Sequence, residues 1–412
     1  MMDVVHERAA GIDISKRDAK VAVRVPGKRS GSYSTTVKTF GSTTAQVLAL
    51  VDYLLDQRVT TVVMEATSDY WKPFYYVMED KLPVMLVNAK HARNIPGRKS
   101  DVSDAAWLAQ LGAHGLLRAS FIPAEPVRHL RDLTRARSMA ARDRVRIVQR
   151  LEKFLESSGI KLSAVATDLT GVSARAMLEA LIAGERDPKV LADLAKRTLR
   201  HKIPALVEAL QGRFTEHHAF MVSQYLAQLD TQQATIEALT ARIETVIAPF
   251  AQARDLLVTI PGISQMVADV IIAETGADMA VFPTPGHLAS WAGVCPGMNE
   301  SAGRVKSVHT RHGNAHLKAA LGVAAMSASR TRNTYLAARY RRIATRRGPV
   351  LAVVAIERTI LIAVWNMLTN RTTFVDLGGD YYTRRDPMRA KHKAIRQLEA
   401  LGYQVTVQPA VA

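Results

Sequence analysis

An α/β domain followed by a mostly helical remainder is what these 412 residues predict. Up to residue 122, short runs rich in β-formers alternate with helical spacings. Beyond it, apolar residues recur at intervals of three and four with few interruptions. A hydrophobic content of 48% supplies apolar side chains for more than one core, and a chain of this length normally divides into two or three domains.

Residues 11–15 and 20–25 alternate around Lys16-Arg17-Asp18, a hairpin signal. A third strand, 33–40, follows a turn rich in Gly, Ser and Pro. Val47, Leu48, Val51, Leu54 and Leu55, behind Ser42 and Thr43, predict a helix over 43–57. Strand 60–64, helix 68–81, strand 84–87 and a helix over 105–116 complete the series. The order β-β-β-α-β-α-β-α is that of the ribonuclease-H-like fold, a mixed sheet flanked by helices.

Four acids stand out on this frame. Asp13 breaks the apolar run Ala9-Ala10-Gly11-Ile12-Asp13-Ile14, and Glu65 ends Val62-Val63-Met64. A carboxylate in or at the end of a buried strand is costly unless it is paired or holds a cation. Asp101 and Asp104, in Lys99-Ser100-Asp101-Val102-Ser103-Asp104-Ala105, share one helix face if the helix opens there, since positions i and i+3 are neighbours. Two readings stand: Ser100 caps the helix while the acids favour its dipole, or the acids join Asp13 and Glu65 in a cage for a hard divalent metal such as Mg2+.

The net charge is +18, an excess that points to a polyanionic partner, nucleic acid before a membrane surface. The most apolar stretch, 349–368, is interrupted by Glu357 and Arg358 and reads as a buried helix rather than a membrane span. The N-terminus carries Asp3, His6, Glu7 and Arg8 in place of an apolar signal core, and Cys295 is the single cysteine. The expected setting is therefore a reducing cytoplasm, without a membrane partner.

Between 128 and 153, nine Lys/Arg stand against three Asp/Glu in a helical pattern, which fits a solvated face or a phosphate-backbone contact. Val222, Tyr225, Leu229, Gln232, Ile236, Leu239, Ile243 and Val246 step by three and four, a heptad seam open to a dimer or to an antiparallel hairpin within one chain. Ile260-Pro261-Gly262-Ile263 sits between helical patterns, as in phosphate-holding helix hairpins and in plain connections alike. Ser301, before Ala302 and Gly303, is on its face a turn serine with no His/Asp relay at a recognisable spacing. Residues 330–347 are strongly basic with Tyr335 and Tyr340 interleaved, and the tail carries Arg384, Arg385, Arg389, Lys391, Lys393 and Arg396, read as a peripheral basic helix.

Together, Gly11-Ile12-Asp13, Met64-Glu65-Ala66-Thr67, Lys99-Ser100-Asp101-Val102-Ser103-Asp104, Ile260-Pro261-Gly262-Ile263, Ser301-Ala302-Gly303 and Arg311-His312-Gly313-Asn314 resemble the insertion-sequence transposases of the IS110 family, with an Asp-Glu-Asp-Asp tetrad and a catalytic serine, now called bridge-RNA-guided recombinases. The sequence departs from the family pattern at Ser264, Ala302 and His312. The resemblance implies a RuvC-like metal-binding nuclease domain over 1–122, a basic helical and coiled-coil region over 123–250, a transposase domain with the serine over 251–370, and a basic tail over 371–412.

It further implies that Asp13, Glu65, Asp101 and Asp104 are catalytic and bind Mg2+, with Mn2+ able to substitute, and that Ser301, with Ser307 as fallback, attacks the scissile phosphate. The implied partners are donor and target DNA, a structured guide (bridge) RNA, and further copies of the chain, a dimer assembling to a tetramer. Arg304, Lys306, Arg311, His312, Asn314 and Lys318 are the expected nucleic-acid contacts. Two rival readings are a RuvC-like nuclease or junction resolvase that uses water, and a non-enzymatic basic nucleic-acid-binding scaffold.

Overall fold

A computed structural model describes residues 3–29, 31–88, 95, 103–297, 299–307 and 309–408, with backbone alone at 299–301 and 305–307. It divides into two compact units, Met1–Ile122 and Pro123–Ala412.

In the first unit, β1 (Ala9–Ile14), β2 (Asp18–Pro26), β3 (Tyr33–Gly41), β4 (Thr61–Glu65) and β5 (Val84–Val87) form one sheet in the order β3-β2-β1-β4-β5. The β1–β2 and β2–β3 pairs are antiparallel, and β1–β4 and β4–β5 are parallel. With helices α1 (Thr44–Asp56), α2 (Trp71–Met78) and α3 (Asp104–Ala113), this is the mixed ribonuclease-H-like arrangement that the strand and helix periods predict.

Side chains alternate across a strand, so the central strands serve two cores. Ala10, Ile12 and Ile14 pack with Val47, Leu50 and Leu54 of α1 and with Phe74 and Met78 of α2. On the opposite face Val63 packs with Leu108 and Leu111 of α3, and Ala22 with Ala105 and Ala109. Gly11 lies beneath α3: a Cβ there would fall 2.1 Å from the Ala105 carbonyl oxygen and 2.4 Å from the Ala109 nitrogen. The absent side chain lets helix and sheet touch backbone to backbone.

The start of α3 differs from the expectation. Ser103, not Ser100, is the N-cap, with extended backbone and a hydroxyl that accepts from the Ala106 N–H at 3.3 Å. Both serines precede an acid, and the sequence alone gave no reason to prefer the later one. Asp104 is thus the first residue of the described helix, and Asp101 lies outside the described residues.

The second unit opens with α4 (Glu125–Ser158), capped at its C-terminus by Gly159 in the left-handed conformation. Short helices α5 (Leu162–Val165), α6 (Val172–Ile182), α7 (Pro188–Asp193) and α8 (Ile203–Ala209) lead to the long α9 (Glu216–Val246). Phe154 meets Tyr225, and Ser157 meets His218, so α9 runs antiparallel to α4. Ile147, Leu151 and Leu155 of α4 share a core with Val222, Leu226 and Leu229 of α9. Val222 and Leu229, two positions of the heptad seam, are thus met within the chain.

The remainder comprises α10 (Ala251–Val258), α11 (Gln265–Thr275), α12 (Pro285–Trp291), a hairpin of β6 (Asn299–Ser301) and β7 (Arg304–Ser307), α13 (Ala315–Arg330), α14 (Tyr335–Arg347) and α15 (Pro349–Asn370). By length and composition α15 could cross a membrane. Here its Ala352, Ile356, Ile360, Leu361 and Val364 are fully buried, and the helix packs against α12, α13 and α14. Two tail helices follow, α16 (Tyr381–Arg385) and α17 (Pro387–Glu399).

Candidate active site

Three of the four predicted acids come to one end and one face of the first unit. Ile12 pairs with Met64 in parallel register, so the next residues, Asp13 and Glu65, leave neighbouring strands at the same level. Asp13 lies two residues beyond Gly11 and Glu65 two beyond Val63, and both of those face α3, so both acids face it too. Early α3 residues Ala105 and Ala109 lie over Gly11, while the late residue Gly112 lies over Val63 and Thr61. The helix therefore runs against the strands, and its first residue, Asp104, sits at the end where Asp13 and Glu65 emerge. All three are half-buried.

This donor set is made of hard carboxylate oxygens, which suits Mg2+ or a similar divalent ion. Among the described residues no group of three or more His, Cys, Asp or Glu stands close enough to hold a metal ion. Asp101, the fourth predicted ligand, lies outside the described residues.

In the second unit Ser301 is the last residue of β6 and pairs in register with Arg304, the first of β7. Ala302 and Gly303 between them have φ of +51° and +75°. Positive φ at both central positions marks the tight two-residue hairpin turn whose twist matches the flanking strands. Ser301, expected in a turn, is thus the strand residue that leads into one. The side chains of Ser301, Lys306 and Ser307 lie outside what is described.

The base of this hairpin is closed backbone to backbone. Gly297 N–H donates to the His309 carbonyl at 2.9 Å, and Pro296 bridges Thr310. A Cβ on Gly313 would lie 2.2 Å from the Ala292 carbonyl oxygen. Arg304, Arg311 and His312 are exposed around it and available to a polyanion, and Lys318 is half-buried on α13.

Asn314 has a structural position. Its Oδ1 caps α13 by accepting from the His316 and Leu317 N–H groups at 3.1 and 3.0 Å, and its Nδ2 donates to Glu274 Oε2 at 2.6 Å. Glu274 is fully buried and also receives Arg135 through two hydrogen bonds of 2.7 Å, with Arg131 Nε at 3.3 Å. Burial pushes its carboxyl up, but the Arg135 and Asn314 hydrogen bonds and the two guanidinium charges together hold it below the ordinary glutamate value. Nearby, burial and the positive charge of Arg135, reinforced by Arg142 and Arg131, push the His316 imidazole down against the pull of Glu274.

A second group joins buried Arg137, Asp269 and Arg254 to exposed Glu244. Arg254 Nε lies 2.9 Å from Asp269 Oδ1 in a contact whose geometry is ionic rather than that of a hydrogen bond. Arg254 also makes two hydrogen bonds to Glu244, at 2.6 and 2.7 Å. Part of the basic face of α4, expected to be solvated or to grip phosphates, thus turns inward through Arg131, Arg135 and Arg137. The signal that could have shown this is Asp269 and Glu274 within the apolar run Val267-Ala268-Asp269-Val270-Ile271-Ile272-Ala273-Glu274, the logic already applied to the strand acids.

The turn at Gly262 is likewise structural. A Cβ there would lie 2.5 Å from the Ala324 carbonyl oxygen and 2.6 Å from the Ala328 nitrogen of α13, and Ser264 caps α11 by accepting from Val267 N–H. Glycine here serves a close helix contact.

Residues 10–159 match the family model of DEDD transposases of the IS110 type, and residues 254–341 match the model described as transposase, IS116/IS110/IS902 family. A search of curated proteins returned no match.

Proposed function

Because the chain belongs to the IS110 family of transposases, and so acts on DNA with dependence on a divalent metal, we propose that it is an RNA-guided recombinase that cuts and rejoins strands through a phosphoserine link. The observation that supports this most is the placement of Asp13, Glu65 and Asp104 on one face at one end of the sheet. In this reading they and Asp101 hold Mg2+, which when bound polarises the scissile phosphate and eases build-up of negative charge.

The serine supplies the bond that conserves energy. Ser301 Oγ loses its proton and bonds to phosphorus, the P–O bond to one deoxyribose breaks, and the departing oxygen takes up a proton. A hydroxyl of a different strand then reverses these steps and frees Ser301. Arg304, next to it in the hairpin register, and exposed Arg311 and His312 contact the backbone around that phosphate. A guide RNA selects the donor and target sites, and the +18 charge suits a protein that grips several nucleic-acid backbones.

Copies of the chain pair through the outer part of α9, where Gln232, Ile236, Leu239 and Val246 are only half-buried within one chain. The metal-binding acids and the serine of one working site then come from partner copies. Sequencing the RNA that copurifies with the chain, and trapping a protein–DNA adduct, test the proposal. The adduct should form with the native chain and vanish in Ser301→Ala. Mixing Ser301→Ala with Asp13→Ala chains should restore part of the activity. Cleavage without any adduct would identify a nuclease that uses water.

A further inference from the structure

The tail expected to be peripheral forms one wall of a cleft. Its approach is fixed by backbone: Gly379 N–H donates to the Asn333 carbonyl at 3.0 Å, and Tyr335 N–H donates to Asp376 Oδ1 at 2.9 Å. A tyrosine cluster then locks α16 onto α14. Tyr381 meets Tyr335 and Tyr382 edge-on at 5.0 and 5.1 Å, and Arg339 donates to the hydroxyls of Tyr335 and Tyr382 at 3.2 and 3.3 Å.

Beyond this clasp, α14 and the tail enclose a cleft of about 850 Å³. Arg341, Arg342 and Arg346 line one side, and Arg385, Arg389 and Lys393 the other. The single acid in the lining, Asp386, has its Oδ1 engaged as the N-cap of α17, accepting from Arg389 N–H. Among the described residues none of these six cations makes a salt bridge to a carboxylate. Like charges facing across a gap repel, and an anion placed between them reverses the sign of that interaction.

The layout favours a chain of phosphates over a single one. Arg389 and Lys393 lie four residues apart on α17 and Arg342 and Arg346 four apart on α14, with Arg385 at the end of α16. Within a helix such steps place charges about 6 Å apart along the axis, a row rather than a point. Tyr382 lines the same cleft, its ring stacked with Tyr335 and covered by the Arg342 guanidinium 4.4 Å from its centre, so the planar guanidinium groups are the flat surfaces of the kind on which unpaired bases stack. A duplex hides its base faces, and a cleft no larger than an ordinary ligand pocket does not admit one.

We infer that the cleft between α14 and the C-terminal helices binds an unpaired segment of a nucleic-acid strand through its phosphodiester backbone. This rests on the chain's acting on nucleic acid, not on Ser301 or the carboxylates.

The test is fluorescence anisotropy on the full chain with labelled oligouridylate, oligothymidylate and a blunt DNA duplex over a range of salt. It is run on an Asp13→Asn background so that binding is read apart from chemistry. The triple variant Arg385→Ala/Arg389→Ala/Lys393→Ala should bind the unpaired probes about tenfold or more weakly, with a log–log salt slope shallower by about 2, while duplex binding changes less than about twofold. Arg342→Ala/Arg346→Ala, on the other wall, should weaken the same probes, so the effect does not hinge on the tail's folding. Lys391→Ala/Arg396→Ala, which removes tail charges outside the lining, should leave them unchanged.

Tighter binding of uridylate assigns the strand to RNA, and of thymidylate to DNA. Unchanged unpaired-probe affinity in the triple variant, or an equal loss in the Lys391/Arg396 control, overturns the inference. Absence of an adduct at Ser301 would leave it standing.

Discussion

Arg135 and Glu274 meet through two hydrogen bonds of 2.7 Å across 139 positions of sequence. The arginine lies in the first segment that matches the transposase family and the glutamate in the second. The contact therefore fastens α4 to α11, and through Asn314 it also reaches the start of α13, immediately after the loop that closes the serine hairpin.

Removing one partner of this group should cost more than removing both. Glu274→Leu leaves two guanidinium groups without their counter-charge, a loss of about 3 kcal/mol by analogy with other broken buried pairs. Arg135→Met/Glu274→Leu should recover a substantial part of it. Calorimetry of the four chains closes a double-mutant cycle, and additive effects would refute the coupling.

The same carboxylate sets an acid limit. Its pKa in the fold lies below the unfolded value of 4.5, so its contribution to stability is present above that value and is lost as pH falls through the folded value. Stability measured against pH should decline below about pH 4.5 in the native chain, and more gently in Arg135→Met/Glu274→Leu.

At Gly11 the margin is steric. A methyl group placed 2.1 Å from the Ala105 carbonyl oxygen forces α3 away from the sheet, and overpacking of this kind costs about 1–3 kcal/mol. Since α3 carries Asp104 and β1 carries Asp13, Gly11→Ala should abolish DNA strand cleavage while duplex binding stays within about twofold. Cleavage at the native rate would show that Asp104 need not stay where α3 holds it.

Ala302 holds φ of +51° in the turn after Ser301, a conformation that costs a residue with a side chain roughly 1–2 kcal/mol. A branched Cβ makes it worse. Ala302→Val should lower strand transfer at least about tenfold with little change in melting temperature, and Ala302→Gly should retain it. Equal activity in both would mean that the turn does not position the reacting serine.

How far these features were readable depends on where the partner sits. Asp13 and Glu65 declared themselves because an acid in an apolar run needs a reason nearby; that they share a level of the sheet follows only from the parallel register of Ile12 with Met64. The heptad pattern of α9 marked an apolar seam, but pattern cannot say whose helix covers it; α4 of the same chain covers Val222, Leu226 and Leu229. Arg131 and Arg135 looked like a phosphate-facing stripe because their acid, Glu274, lies some 140 residues away. Ser100 and Ser103 offered the same capping chemistry, and only backbone geometry chose between them.

Glu357 is the charge this fold tolerates least. It is 7% exposed on α15, and its Oε2 has no hydrogen-bond partner among the described residues. Burial pushes the carboxyl up from the ordinary glutamate value, against the weaker pull of Lys318. A raised folded pKa means that the fold binds this proton more tightly than the unfolded chain does. The associated stability is thus fully present below the unfolded value of 4.5 and lost as pH rises through the folded value. Glu357→Gln should remove that downward step from stability measured against pH, leaving the acid decline due to Glu274 in place. Glu357→Met, which also removes the unsatisfied oxygen, should stabilise the second unit at neutral pH by about 1 kcal/mol or more. A loss of stability in Glu357→Met with no change in pH dependence in Glu357→Gln would show that the carboxylate is satisfied in solution by a group that the fold does not reveal.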